Sequence, residues 1–447
     1  MKISIIQPYL QQNFFKNFRI IPIILIVILA IVYFWPQQNQ LASEQLRQAA
    51  EQRSINATDR LIWDYQERVR INPSNMQSRA ILGSAYIQKA RETGDPSWYA
   101  KAETVIDGGL ALQPDHFEAL IVKGNIALAR HQFREALALG QQAQAAAPLV
   151  VRIYGVIADA QIELGMYPEA VQSVQRMVDM RPDLSSYARV SYIRELYGDL
   201  DGAITAMESA VRAGGPSTEN VEWSRVQLGH LYFAQGDLAG AEQHYLLSLA
   251  TDPEYPYALA GLARVRAGQG NLTQAIELYQ LAIARAPLPE FVIGLGELYQ
   301  SVGQAAKAEQ QYALVRAMQQ LFAANGVATD LELALFEADH GNDPQMALRL
   351  AQQAYAQRPS IKAADTLAWA LYQNGQYHQA RQYAEQALRL GTRDALMFYH
   401  MGMIANAQGD TKTTRTYLEQ AVALNPYFSP IYAPQAYATL ANLSANP

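Results

Sequence analysis

The sequence predicts an all-α fold, a solenoid of stacked helical hairpins preceded by one N-terminal transmembrane helix. Small, aromatic and proline residues return at a fixed spacing through most of the 447 residues. Near the N-terminus an uncharged apolar run has a length that suits a bilayer. The chain contains no cysteine, so its fold uses neither disulfides nor thiolate metal sites.

The repeat is clearest in "LGHLYFAQGDLAGAEQHYLLSLATDP", Leu228 to Pro253, which returns as "LARVRAGQGNLTQAIELYQLAIARAP", Leu262 to Pro287. Gly236 then lies over Gly270, Ala241 over Ala275, Tyr245 over Tyr279 and Pro253 over Pro287. The period is about 34 residues, the mark of stacked helical hairpins. Earlier copies end at Pro148 and Pro182 and keep the small residue as Ala136 and Ala170. Within one period the apolar residues recur three and four apart, so each half is a helix. Gly236 supplies the left-handed residue that ends the first helix, and Asp237 is placed to cap the second. Gly198-Asp199, Gly270-Asn271 and Gly409-Asp410 repeat that pair, and Pro168 sits where a first-turn proline is tolerated. Gly229 and Ala241 are small where the two helices cross. Tyr232 and Tyr245 fill the space beside the crossing, and Pro253 stops the second helix.

Leu228, Gly229, Tyr232, Gly236, Ala241, Tyr245 and Pro253 together resemble the tetratricopeptide repeat (TPR). Weaker copies follow at Leu295-Gly296 with Tyr299, Gly303, Ala308 and Tyr312, then at Ala347, Ala354 and Pro359. Two more lie at Gly375, Tyr377, Ala380 and Ala387, and at Gly402, Gly409, Ala421 and Pro426. About ten units fit between residues 76 and 426. The resemblance implies a right-handed superhelix whose first helices line a concave groove that holds an extended peptide or a partner helix. In register, those helices place Trp223, His230, Phe233 and Tyr257 along one part of the groove. Glu332, Phe336, Asp339, Asp365, Trp369, Tyr372 and Tyr399 fall along another. Rings with carboxylates among them are what a protein-binding patch shows. Family members that grip a C-terminal carboxylate use Lys and Asn; here Asn125 fits, while Ser84 and Asp159 stand at the equivalent places in the flanking units.

Departures from the template locate the irregular joints. The stretch "KARETGDPSWYAKAE" lengthens the first hairpin, with Gly94-Asp95-Pro96 as its turn. No proline closes the helix through "LVRAMQQLFAANG", so 314–326 is the least regular joint, and 212–220 is another loosened one. Residues 427–447 stay apolar but lose the repeat, as expected of a segment that caps the last hairpin.

Residues 1–17 carry Lys2 and Lys16, with Arg19 just beyond, and no acid. From Ile20 to Trp35 there is no charge, and Glu44 is the first charge afterwards. The positive-inside rule then keeps the N-terminus cytoplasmic, makes 18–35 a single-pass signal anchor and leaves the repeats outside. A cleaved signal peptide would need a small-x-small site soon after the run, and "PQQNQLAS" is a poor one. Residues 36–57 read as a polar linker and 58–75 as an amphipathic capping helix packed on the first unit.

Composition excludes other classes. A net charge of −6 without any basic cluster argues against a nucleic-acid surface. "EADHGND" holds one Glu-x-x-His where a carboxylate-bridged metal site needs two, and "GLGELY" and "GQGNLT" occupy helical repeat positions with no strand before them. No catalytic or cofactor motif emerges, and the expectation is not an enzyme. The sequence thus reads as a bacterial membrane-anchored scaffold that binds a protein or peptide outside the cytoplasm. The alternative is an envelope-assembly factor that binds polysaccharide along the same aromatic face.

Overall fold

The computed structural model describes residues 57–215 and 218–445. The expected anchor at 18–35 and nearly all of the linker lie outside them. Among the described residues no helix is long and apolar enough to cross a membrane. The chain divides into two units, Met1–Trp63 and Asp64–Pro447, and the repeats belong to the second.

Twenty-two helices and no strand make up the described residues. After α1 (Ala57–Ile71), ten hairpins follow in order. They are α2–α3 (Met76–Thr93, Ser97–Leu110), α4–α5 (Phe117–Ala129, Phe133–Ala146), α6–α7 (Val151–Glu163, Tyr167–Met180), α8–α9 (Leu184–Leu196, Leu200–Ala213) and α10–α11 (Thr218–Ala234, Leu238–Thr251). The second five are α12–α13 (Pro256–Gly268, Leu272–Arg285), α14–α15 (Pro289–Ser301, Ala305–Ala324), α16–α17 (Asp330–His340, Pro344–Gln357), α18–α19 (Ile361–Gln373, Tyr377–Ala387) and α20–α21 (Ala395–Ala407, Thr411–Leu424). The last helix is α22 (Tyr432–Ala445).

Local chemistry accounts for each hairpin. In α10–α11, Gly236 takes φ 76° and the Asp237 carboxylate accepts from the Gly240 amide at 2.9 Å. Asp199 and Asp410 cap Gly202 and Thr413 in the same way, at 2.9 and 3.1 Å. Asn271, expected to do likewise, makes no side-chain cap. The Tyr245 ring fills the space left by two glycines: a Cβ on Gly229 would lie 2.6 Å from the ring and one on Gly261 2.5 Å. Gly229 is therefore small for the tyrosine of its own hairpin, and Gly261 for the same ring from the next. The lengthened first hairpin is the 18-residue α2, closed by Gly94 at φ 68°. The missing proline near 320 lets α15 run 20 residues, to just before Gly326 at φ 77°.

First helices of successive hairpins touch one another, whereas second helices meet mainly the first helices on either side. The first helices thus take the inner radius. They are buried on several faces, as in α18, where Ile361 and all residues from Ala363 to Leu371 are buried. The second helices bury a narrow stripe, such as Ala275, Tyr279 and Ala282 in α13.

The array also returns onto itself, which the repeat pattern does not predict. Hydrogen bonds join residues 192 to 198 positions apart, bringing turns inside early hairpins against loops between late ones. The Ala328 amide donates to Arg130 O at 2.9 Å and the Ile361 amide to the Tyr167 hydroxyl at 2.8 Å. Thr392 Oγ1 donates to Leu196 O at 2.5 Å and Asn425 Nδ2 to Phe233 O at 2.8 Å. One coil therefore takes about 5.7 repeats of about 34 residues.

The seam between coils gives the turn glycines two different roles. Gly165, Gly198 and Gly236 take positive φ and also lie against Pro359, Gly391 and Pro426, respectively, of the next coil, with no room for a Cβ at the first two. Gly303, Gly375 and Gly409 take positive φ with nothing within 4 Å. Gly375→Ala is expected to cost about 1–2 kcal/mol, the left-handed penalty alone. Gly198→Ala adds overpacking of about 1–3 kcal/mol. Chemical denaturation of the two variants measures the difference, and equal losses would remove the seam from the account.

Candidate interaction site

The second group of predicted residues does converge, but inward. Trp369 stacks on Tyr372 at 4.6 Å and on His400 at 4.2 Å, with rings nearly parallel. Its Nε1 donates to Asp339 Oδ1 at 2.7 Å, and the Tyr432 hydroxyl donates to the same oxygen at 2.6 Å. Tyr399 stacks on Tyr432 at 4.9 Å and donates its hydroxyl to Gln435 Oε1 at 2.7 Å. His400 Nδ1 lies 3.0 to 3.1 Å from the Asp365 carboxylate oxygens. Phe336 sits edge-on to Tyr312. Trp369 is only 2% exposed, and Phe336, Asp365 and Tyr399 are likewise buried, while Tyr372 is half-buried.

This corrects the expectation of an exposed hot spot: the rings are core. A register of first helices shows which side chains share a face but not that neighbouring first helices close over that face. Tyr432, at the start of α22, joins Asp339, Trp369 and Tyr399 from outside the repeat, and no repeat signal marks it. Burial of the cluster sets its charges. Burial itself disfavours the His400 cation, but the Asp365 charge and hydrogen bond outweigh it and raise the pKa. Burial raises the Asp339 carboxyl, against which His400 and the Tyr432 hydroxyl act.

The first group does not form one patch. Trp223 is exposed on α10. His230 Nδ1 lies 2.6 Å from the Tyr245 hydroxyl, and burial, aided by Arg264, lowers its pKa to about 3. It is therefore neutral and shares a hydrogen bond with the tyrosine hydroxyl. Phe233 is buried under the Arg264 guanidinium, 4.1 Å from its ring centroid. Tyr257 is half-buried, edge-on to Phe291.

Glu332 belongs elsewhere, on the seam. Arg358, 7% exposed, donates to both Glu332 oxygens at 3.0 and 3.1 Å and lies 3.7 Å from Glu163 of the other coil. Its guanidinium also lies over the Phe133 ring at 5.2 Å. His131 fills the turn position that elsewhere holds glycine, at φ 58°, with Nδ1 2.9 Å from Ala328 O. Burial works against the Glu332 charge, yet the His131 imidazole 3.7 Å away and the Arg358 guanidinium bring its pKa to about 2. Cavities of about 300 and 360 Å³ flank this cluster and share His131, Phe133 and Arg358. Sequence reasoning missed all of it except Glu332, although a histidine in place of the turn glycine was a visible signal.

Glu290 and Asp394, the latter beside the Leu196–Thr392 rung, reach solvent near the starts of first helices, while the surrounding protein raises both carboxyl pKa values. Glu337 and His340, the metal-like pair in sequence, are taken up by Arg316 at 3.0 Å and Glu297 at 3.3 Å. Among the described residues no three His, Asp or Glu side chains are placed to hold a metal ion.

The family model of the tetratricopeptide repeat matches residues 121–185, 226–288 and 366–427. The chain carries tetratricopeptide repeats. Among curated proteins it is 27% identical over 201 residues to the Protein CTR9 homolog of Arabidopsis thaliana, a match covering 43% of this chain and 18% of that protein. Among solved structures, the APC/C hetero-tetramer Cut9-Hcn1 superposes with a TM-score of 0.34 at 13% identity, over 87% of this chain and 96% of that one. A tetratricopeptide repeat protein from Parabacteroides merdae gives 0.35 at 19% identity, over 59% and 99%.

Losing a packed indole leaves a cavity and removes one of the two hydrogen bonds to Asp339 Oδ1, that of Tyr432 remaining. Trp369→Ala is therefore expected to lose about 3–5 kcal/mol of stability. Thermal melting followed by circular dichroism tests this, and a variant that melts like the parent would put Trp369 back on the surface.

Proposed function

We propose that this TPR chain is a bacterial membrane-anchored scaffold that holds another protein in the groove of its solenoid, outside the cytoplasm. The observation that carries the reading is the groove itself. Glu290, Glu332, Lys362 and Asp394 reach solvent from the first helices or their caps. The surrounding protein raises the carboxyl pKa values of Glu290 and Asp394. Charges in such a setting act strongly on a bound chain and select basic or polar groups opposite them.

The uncharged run 20–35, with basic residues only on its N-terminal side, supports the anchor and its orientation. A glycan occupant is the weaker reading, because sugar binding wants exposed rings and Phe336, Trp369 and Tyr399 are buried. The protein partner therefore takes precedence.

A photo-crosslinking residue placed in turn at Glu290, Glu332 and Leu281 tests the site in native membranes. Leu281 is exposed on the outer helix α13. Protein adducts are expected from the two groove positions and not from Leu281; the same adducts from all three, or none, would defeat the groove reading. Protease added to spheroplasts is expected to digest the repeats, and a protected, carbonate-soluble chain would defeat the anchor.

A further inference from the structure

The rungs of the seam are not chemically alike. Those at Tyr167–Ile361, Leu196–Thr392 and Phe233–Asn425 are neutral. The rung at His131 is titratable. Its imidazole belongs to the first coil and lies 3.7 Å from Glu332 Oε2 of the second. The side chain is 31% exposed, so the proton that decides its charge exchanges with solvent. Nδ1 donates to Ala328 O and is also the nitrogen 3.7 Å from Glu332 Oε2, so the proton gained at Nε2 gives the ring a charge that Glu332 feels through space. A second titratable place lies beside the Leu196–Thr392 rung. There Glu195, from the end of α8, and Asp394, the cap of α20, put like charges on opposite coils.

We propose that the seam is a pH-responsive latch, closed in mildly acidic solution, where a protonated His131 is clamped to Glu332, and loosened in mildly alkaline solution, so that the coils part and the inner face opens. The latch needs no bound partner, so it stands apart from the scaffold reading.

The two titrating places act in the same direction. Burial disfavours the His131 cation, but the Glu332 carboxylate 3.7 Å away, with the Ala328 carbonyl, outweighs burial and the opposing Arg358 and raises the pKa. A base with a raised folded value stabilises fully below about 6.5 and loses that contribution as pH climbs through the folded value. Glu195 is raised by burial first, with Lys362 opposing and Asp394 adding to the rise. Asp394 is raised by burial, opposed by the amides of Met397 and Leu396 that it caps and by His400, and raised further by Asp365. Acids with raised folded values destabilise as they ionise, so their cost also grows with pH.

The surrounding charges do not reverse this. Glu332 is held near 2 and stays ionised, shared with Arg358, which also faces Glu163. Lys362, raised by Tyr192 and Glu163 against burial, stays a cation. Asp159 is tied to Arg189 at 2.5 Å, and Asp330, Arg134 and Glu135 line the outer cavity with His131, two acids against one base.

Because the chain has no cysteine, nitroxide labels can be attached at Ala138→Cys on α5 and Gln352→Cys on α17, exposed positions on either side of the seam. Pulsed electron paramagnetic resonance on the full-length protein reads their separation. At about pH 5.5 one short distance is expected, and at about pH 8.5 a longer population grown roughly two-fold or more, with helicity unchanged. His131→Asn keeps a residue that tolerates left-handed backbone but does not titrate. Combined with Glu195→Gln and Asp394→Asn, which retains the cap, it is expected to flatten the response. Distances independent of pH, a response that survives the triple substitution, or lengthening that accompanies helix loss would each overturn the latch.

Discussion

The close approach of two coils, backbone to backbone at the turns of the early hairpins, is the constraint on which the rest of the structure depends. A solenoid whose repeats touch only their neighbours is nearly one-dimensional, and each hairpin is stabilised by the two beside it. In this chain a hairpin also meets another nearly 200 residues away, through Tyr167–Ile361, Leu196–Thr392 and Phe233–Asn425. Such contacts raise the contact order and tie distant hairpins into one cooperative unit. They also fix the pitch, and with it the width of the groove lined by the first helices.

The constraint explains where charge is buried. Arg358 is placed where the coils meet, and one buried cation there is matched by Glu332 from its own coil and Glu163 from the other. A buried charge is tolerated only when paired, so the two coils complete each other's electrostatics. The second concentration of buried polar groups, Asp339 with Trp369 and Tyr432 and Asp365 with His400, lies where late first helices converge on α22. It locks the end of the array rather than presenting a surface.

Within a hairpin, sequence was a close guide. Gly236 and Asp237 announced a left-handed stop and a cap, Tyr245 and Ala241 the crossing, and Gly94 to Pro96 the longer first turn, because each acts on residues within one or two turns of chain. Asn271 looked like Asp237 and does not cap, a difference of side-chain placement that spacing cannot carry. Long-range closure was illegible for a different reason. The pattern at Gly198 and at Gly375 is the same, since both need positive φ, but only Gly198 has backbone of the next coil against it. For the site, register grouped Asp365, Trp369 and Tyr399 correctly and misjudged their exposure, because the covering groups come from other helices and from the non-repeating α22. His131 carried a signal that the sequence reading passed over, as the exception in a row of turn glycines.

The Ile361 amide tests the central claim most directly. It begins α18, where a first-turn N–H has no acceptor within its own helix, and its acceptor is the Tyr167 hydroxyl of the other coil. Amide hydrogen exchange resolved at Ile361 is predicted to be slow in the native protein and to become fast in Tyr167→Phe while the amides in the middle of α18 stay protected. Fast exchange at Ile361 in the unaltered protein would contradict coil-to-coil packing.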